Sequence, residues 1–284
     1  MFDLGGRLIL GLALSLAIGG VAYWRRALSR SGMLGAVLIG TIIFGFGGWV
    51  RGLLLIAFFV SSSLLSHYKD RRKAHLAEKF AKGSRRDLGQ TLANGGMAAL
   101  LALTIGWTGA DSGFYAVLAL AFYGALATAN ADTWATELGV LARSQPRLLT
   151  TGRTVPVGTS GGVTAAGFAA ALAGATFIGA IGFVLIQVAA RLTLGAWLPG
   201  DWVVILAAAV GGFLGSAFDS LLGATVQAIY TCDRCGLETE RTVHRCGQPT
   251  RQIRGWRWLN NDWVNFLASV AGALVAGILG AILL

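Results

Sequence analysis

Asp132 and Glu137 stand in the stretch ANADTWATELG, directly after the apolar run FYAVLALAFYGALA. A carboxylate inside lipid costs at least ~2.5 kcal/mol, so it is normally paired, hydrated or functional. The chain carries 13 acids. Asp70, Glu78, Asp87, Asp233, Glu238 and Glu240 fall in two long basic loops, and Asp3, Asp111 and Asp201 fall at the terminus or in short connections. The remainder, Asp132, Glu137, Asp219 and Asp262, each end an apolar span among small polar groups. At helical spacing Asp132 shares a face with Thr136, Thr133 with Glu137, Asp219 with Ser216 and Ser220, Asp262 with Asn265 and Ser269, and Asn94 with Gln90. A lone acid of this kind is more often a helix-end residue. Oxygen ligands at one depth on several helices are instead what a hard cation such as Mg²⁺ requires, and Asp132, Asp219 and Asp262 are the expected ligands.

Between these acids lies TTGRTVPVGTSGG, rich in glycine and hydroxyls, with the single cation Arg153. Backbone N–H groups of such a loop, entering a helix at about Thr159–Gly162, form an anion site. Beside carboxylates suited to Mg²⁺, it reads as a phosphate cradle with Arg153 neutralising charge. It lacks the G-K-[ST] ending of a Walker A loop. All the cysteines fall in CDRCGLETERTVHRCG. Cys232, Cys235, His244 and Cys246 supply enough soft ligands for a closed tetrahedral zinc site, structural rather than catalytic.

The elements that must position these groups are apolar helices. The chain has 284 residues, of which 55% are hydrophobic and only 13% charged, with 41 glycines. Its mean hydropathy is +0.66. The fold expected is an all-α polytopic membrane protein of about eight transmembrane helices, one of them broken or re-entrant, in a single domain spanning 1–284. Expected spans cover 7–23, 33–50, 52–67, 91–108, 113–130, 161–195, 203–222 and 263–284. The opening run carries no cleavage pattern and reads as a first helix. The net charge of +10 sits in short loops between apolar runs, at 24–31, 68–90, 143–153 and 231–258. That is the positive-inside pattern, not a nucleic-acid surface, and it places these loops and the site on the cytoplasmic side of the cell membrane. The connections near Arg51 and Asp111 then face outward. Residues 153 and 231 both lie inside, so 161–195 must cross once, as one long helix or with a re-entrant piece. His67 and His75 read as solvated.

LANGG, ADTWATELG, RTVPVGTSGGVT, GSAFDSLLGATVQ, the C-x2-C loop and WLNNDWVNF follow one another in this order. With them the chain resembles the transmembrane protein 19 family, which includes plant phytyl-phosphate kinase. More distantly, Asp132 with Ala135, Arg153 to Gly158–Thr159, and Asp219 are similar in order to the motifs of phytol and dolichol kinases and CDP-diacylglycerol synthases. Arg153 stands where lysine is usual there, and VPVGT lacks the acid of that loop, so the donor stays open between CTP and ATP. The resemblance implies an isoprenoid-phosphate kinase that uses Mg²⁺ and a nucleoside triphosphate to convert a phytyl or polyprenyl monophosphate to the diphosphate. Its partners are then the lipid phosphate, the nucleotide and membrane lipids, with no nucleic acid. In this reading Asp132, Asp219 and Asp262 hold metal, and Glu137 orients a metal-bound water or Thr133. Arg153, Gly158, Thr159, Ser160, Gly161 and Gly162 hold phosphates. Asn94, Asn130, Thr133, Thr136, Ser220, Asn261 and Asn265 hydrogen-bond donor or acceptor oxygens. The rival classes are a transporter or flippase for isoprenoid phosphates or small anions, and a cytidylyltransferase that forms a CDP-lipid.

Overall fold

The computed structural model describes residues 3–68, 85–109 and 111–284. Most of the 68–90 basic loop, with Asp70, His75 and Glu78, lies outside the described residues. The chain forms α1 (Leu4–Trp24), α2 (Arg30–His67), α3 (Leu88–Thr108), α4 (Tyr115–Gly139), α5 (Ala165–Leu194), α6 (Val203–Thr225) and α7 (Asn261–Leu283). All but α4 are long and apolar enough to cross a membrane by length and composition. The 161–195 stretch holds one continuous helix, as the crossing count required.

The expected pair of spans at 33–50 and 52–67 is one element folded double. Gly48 leaves helical geometry at φ 77° and ψ 176°. In a straight helix Phe44 and Gly52 would lie about 12 Å apart along the axis. Here a Cβ on Gly52 would fall on the Phe44 ring, so the 30–47 and 49–67 arms run back along each other. Arg51 closes the turn by donating from Nη1 to the Gly47 carbonyl at 3.0 Å and from Nη2 to the Tyr115 hydroxyl at 3.4 Å. Glycine is required at the turn because a side chain is strained at that φ.

α4 is the axis of the bundle. Every residue from Leu120 to Ala131 is buried, and α4 packs on α5, α6 and α7. The contacts are made by small residues: a Cβ at Gly124 would meet the Gly272 carbonyl, and one at Gly212 would meet Ala127. With no hydrophobic drive between helices in lipid, such close backbone approach supplies the packing energy. A helix enclosed by protein does not need a lipid-facing apolar surface, which is why α4 can carry polar groups such as Thr128 and Asn130 deep in the bundle.

Successive helices alternate in direction, so the connections 25–29, 85–87, 140–164 and 226–260 gather at one end. Exposed tryptophans ring both ends: Trp24, Trp256, Trp258 and Trp263 at this one, and Trp49, Trp107, Trp197 and Trp202 at the other. Two such belts mark the two water–lipid interfaces. The connections at the first end also hold short strands that the sequence pattern did not announce. β1 (Arg147–Leu148) pairs antiparallel with β2 (Gly162–Val163). β3 (Ile229–Cys232), β4 (Leu237–Thr239) and β5 (Arg251–Arg254) form an antiparallel sheet in the order β4-β3-β5. They fold the loops and leave the architecture helical.

Candidate functional site

A cavity of about 1000 Å³ opens at this end, between α3–α7 and the two connections that carry the strands. α4 and α6 run toward it and deliver Asp132, Thr133, Thr136 and Glu137 from one and Ser216, Asp219 and Ser220 from the other. α3, α5 and α7 run away from it, so their N-termini face it. Each is capped by its own sequence. Asp87 and Gln90 form a reciprocal capping box on α3, Thr164 Oγ1 accepts from the Gly167 N–H at 2.9 Å, and Asn260 Oδ1 accepts from the Trp263 N–H at 3.2 Å. Helix N-termini favour anions and C-terminal ends favour cations. The backbone thus lays out a cation side along α4 and α6 and an anion side along α3, α5 and α7.

The four intramembrane acids, Asp132, Glu137, Asp219 and Asp262, all line this cavity, although they are far apart in the chain. Asp132, Asp219 and Glu240 are close enough for their charges to act on one another. Neither Asp132 nor Asp219 forms an ion pair among the described residues, and Asp219 Oδ2 is buried without a hydrogen-bond partner there. Unpaired, clustered and partly desolvated carboxylates are costly unless a cation sits between them. Their oxygen chemistry fits a hard divalent ion, with Asp132 and Asp219 as the residues that would hold it. Asn94, Asn261, Asn265, Thr133, Thr136 and Ser220 surround the same space. Ser269 does not; it is buried on α7.

The glycine and threonine loop also reaches the cavity, through Gly158, Thr159, Ser160, Gly161 and Gly162. Its local geometry differs from expectation: residues 159–163 form a turn and the strand β2, and helix α5 begins only after the Thr164 cap. Thr159 turns back on Pro156 through its N–H at 3.1 Å and its hydroxyl at 2.7 Å. Gly161 has φ 79°, and a Cβ there would strike the Ala224 backbone of α6. Both the turn and the close approach therefore exclude any side chain.

Two residues expected in the site lie elsewhere. Arg153 is exposed at the tip of the turn that closes on Leu148, whose carbonyl accepts from the Thr151 and Gly152 N–H groups, and it is absent from the cavity wall. Asn130 is fully buried and its amide is consumed by packing. Its Oδ1 accepts from the Ser61 and Ser62 hydroxyls at 2.9 and 3.3 Å, and its Nδ2 donates to the Gly174 carbonyl at 2.8 Å.

The cations at the cavity are instead Arg86, Arg241, Arg245 and Arg257. Arg86 lies over the Phe58 and Phe59 rings at 5.7 and 5.8 Å. Burial brings its guanidinium down to about 10, partly offset by the Glu137 carboxylate. Glu240 is the acid the sequence did not single out. It accepts from Gln227 Nε2 at 2.9 Å, while Gln227 Oε1 accepts from Ser160 Oγ at 2.5 Å. This relay joins the glycine loop to the cysteine loop across the cavity rim. Arg254 adds a second tie through its Nη2, to the Ser160 carbonyl at 3.5 Å and to the Gly223 carbonyl of α6 at 2.8 Å.

In the cysteine loop, Cys232, Cys235, His244 and Cys246 place their ligand atoms within 4.8 Å of one another, a cluster that can hold a metal ion. The Sγ atoms of Cys232 and Cys246 are 3.6 Å apart, and His244 Nδ1 is 3.2 Å from Cys246 Sγ. The hydrogen bond from His244 brings the Cys246 thiol down to about 6. That from Cys246 pushes the exposed Cys235 up to about 11.

Helices of this length around a buried polar axis define an integral, multi-pass membrane protein with a polar cavity at one bilayer face. More particularly, residues 13–273 match the family described as integral membrane protein DUF92, and the chain belongs to that family. It is 35% identical over 281 residues to Protein PGR of Arabidopsis thaliana, covering 96% of each chain. It is 30% identical over 251 residues to an uncharacterized membrane protein of Methanocaldococcus jannaschii, covering 88% of this chain and 84% of that one. It is 28% identical over 253 residues to Protein VTE6, chloroplastic, of Arabidopsis thaliana, covering 88% of this chain and 64% of that one. No solved structure matches. The family expected from the ordered motifs is the one found.

Proposed function

We propose that the protein is a membrane phosphotransferase that moves the γ-phosphoryl group of a nucleoside triphosphate, CTP or ATP, onto an isoprenoid monophosphate. The observation that carries this reading is the orphaned Asp219 carboxylate beside Asp132, facing helix N-termini and arginines across one cavity. A bound Mg²⁺ would neutralise the donor phosphates and orient them for in-line attack. Asp132 and Asp219 would hold it, and Asp262 lines the same cavity. Gly158–Gly162 and the N-terminus of α5 cradle donor oxygens, and Arg86, Arg241, Arg245 and Arg257 take up the equatorial charge. A lipid phosphate oxygen forms the new bond to the γ-phosphorus. The bond to the bridging oxygen breaks, and the nucleoside diphosphate leaves with that electron pair. The acceptor is already anionic, so no strong general base is needed. This agrees with a cavity whose walls carry no lysine or histidine among the described residues.

The lipid acceptor follows from the membrane setting and from the resemblance to the phytyl-phosphate kinase family. By sequence, Arg7, Arg51 and Arg191 are the only Lys or Arg residues outside the basic stretches 24–31, 68–90, 143–153 and 231–258. That asymmetry supports a cytoplasmic cavity in the cell membrane.

The test uses purified protein, Mg²⁺, a γ-labelled triphosphate, and phytyl or farnesyl phosphate. Labelled lipid diphosphate with release of nucleoside diphosphate is expected, and Asp132→Asn should lower it by about 10²–10³-fold or more while the fold persists. Release of pyrophosphate with a nucleotidyl-lipid would replace this reading by the cytidylyltransferase. Absence of turnover, with protein-dependent flux of lipid phosphate across vesicles, would replace it by transport.

A further inference from the structure

The cysteine loop has almost no core of its own. Between residues 232 and 250 only Cys232, Thr239 and His244 are buried, and two of these belong to the metal-ligand cluster. A segment this short with so little apolar burial requires a covalent or metal cross-link to hold one conformation. The cysteines are free thiols, so a disulfide does not supply it. Tetrahedral zinc with bonds to sulfur of ~2.3 Å would have ligand–ligand edges of roughly 3.8 Å. The 3.6 Å separation of the Cys232 and Cys246 sulfurs and the 3.2 Å approach of His244 Nδ1 sit close to that spacing.

The same segment forms a wall of the cavity. Glu240, Arg241, Thr242, Val243 and Arg245 all line it, interleaved with the ligands His244 and Cys246. What fixes the ligands therefore fixes these side chains. Other bonds tie the stretch as well: Thr250 donates from its hydroxyl to the Arg241 carbonyl at 2.6 Å and from its N–H to the Thr242 carbonyl at 3.0 Å, the His244 N–H donates to the Gln248 carbonyl at 2.9 Å, and Gln227 donates to Glu240.

We infer that zinc held by Cys232, Cys235, His244 and Cys246 positions Glu240, Arg241 and Arg245 as the outer wall of the cavity, so that phosphate-anion binding inside the bundle depends on this metal. Zinc has no role in the chemistry: all four of its positions are filled, and it acts on the ligand only through the geometry of the intervening residues. Arg241 and Arg245 bring positive charge to the anion, and Glu240 adds a third carboxylate to Asp132 and Asp219. The inference takes from the proposed function only that the cavity binds a phosphate.

The experiment measures zinc content and Mg²⁺-pyrophosphate binding of the full-length protein in detergent, neither of which needs turnover. Wild type should carry about one zinc per chain, and Cys235→Ser, which alters an exposed ligand, should lose it and weaken pyrophosphate binding about 10–100-fold. Arg241→Gln should weaken binding similarly and keep its zinc. Stripping zinc from folded wild type with a chelator should abolish binding, and adding zinc back should restore it, which covers a Cys235 variant that does not fold. Zinc-free wild type, or zinc-stripped protein that binds pyrophosphate within about twofold of wild type, would overturn the inference. Zinc-dependent binding without any lipid product would leave it standing and remove the kinase reading alone.

Discussion

Asp219→Asn should make the metal-free protein more stable and deprive it of stabilisation by Mg²⁺. The wild-type carboxylate has one oxygen buried without a partner and lies within the field of both Asp132 and Glu240. At an effective dielectric near ~20, two like charges roughly 6 Å apart repel by about 3 kcal/mol. Asparagine keeps the shape and removes that repulsion, at the cost of an amide that must find partners, which offsets about 1–2 kcal/mol. The net gain in chelator is on the order of 1–2 kcal/mol, a rise of several degrees in unfolding temperature. With Mg²⁺ the order reverses. Ligand at about 100 times its Kd stabilises the wild type by about 2.7 kcal/mol, whereas the variant has lost a carboxylate ligand and gains little. Tryptophan fluorescence during thermal unfolding in detergent, with chelator or with Mg²⁺, reads both effects. A variant that melts below wild type in chelator, or that Mg²⁺ stabilises equally, would refute the view that these acids are held together for a cation.

Asn130→Ala should destabilise the protein by about 1–3 kcal/mol, because it removes the side-chain partner of the Ser61 and Ser62 hydroxyls and of the Gly174 carbonyl, while Mg²⁺ still raises the unfolding temperature. Gly161→Ala forces a side chain into a left-handed backbone against α6 and should cost about 1–3 kcal/mol in the same melts, with weaker pyrophosphate binding measured by calorimetry. Arg153→Gln should leave pyrophosphate affinity within about threefold of wild type, since its charge is solvent-screened at the turn tip, whereas Arg257→Gln should weaken it more than tenfold.

The acids could be found from sequence because lipid makes a carboxylate anomalous. Asp132, Glu137, Asp219 and Asp262 stand out against the runs that carry them, and only a shared cavity resolves the cost. Asn130 carried the same signal, yet lies two residues, about 200°, around α4 from Asp132, and its side chain is absorbed between helices. Sequence gave the residue types on that helix but not which face met a neighbour. The opposite failure occurred in the loops. Glu240, Arg241, Arg245 and Arg257 are ordinary residues in a basic stretch, and nothing in composition separates them from Arg153. Their positions depend on the β4-β3-β5 sheet and on the side-chain relay Ser160–Gln227–Glu240, contacts between segments far apart in the chain. The doubled α2 was legible as two apolar runs, but its turn lies at Gly48, before Arg51, because Arg51 caps the first arm rather than separating the arms.

The most direct test replaces Mg²⁺ with Mn²⁺ and records electron paramagnetic resonance of the purified protein with and without ATP. One protein-bound Mn²⁺ whose spectrum shows coupling to nucleotide phosphorus, and which is lost in both Asp132→Asn and Asp219→Asn, is the predicted result. Mn²⁺ that stays bound in both variants, or that never binds the wild type, would contradict it.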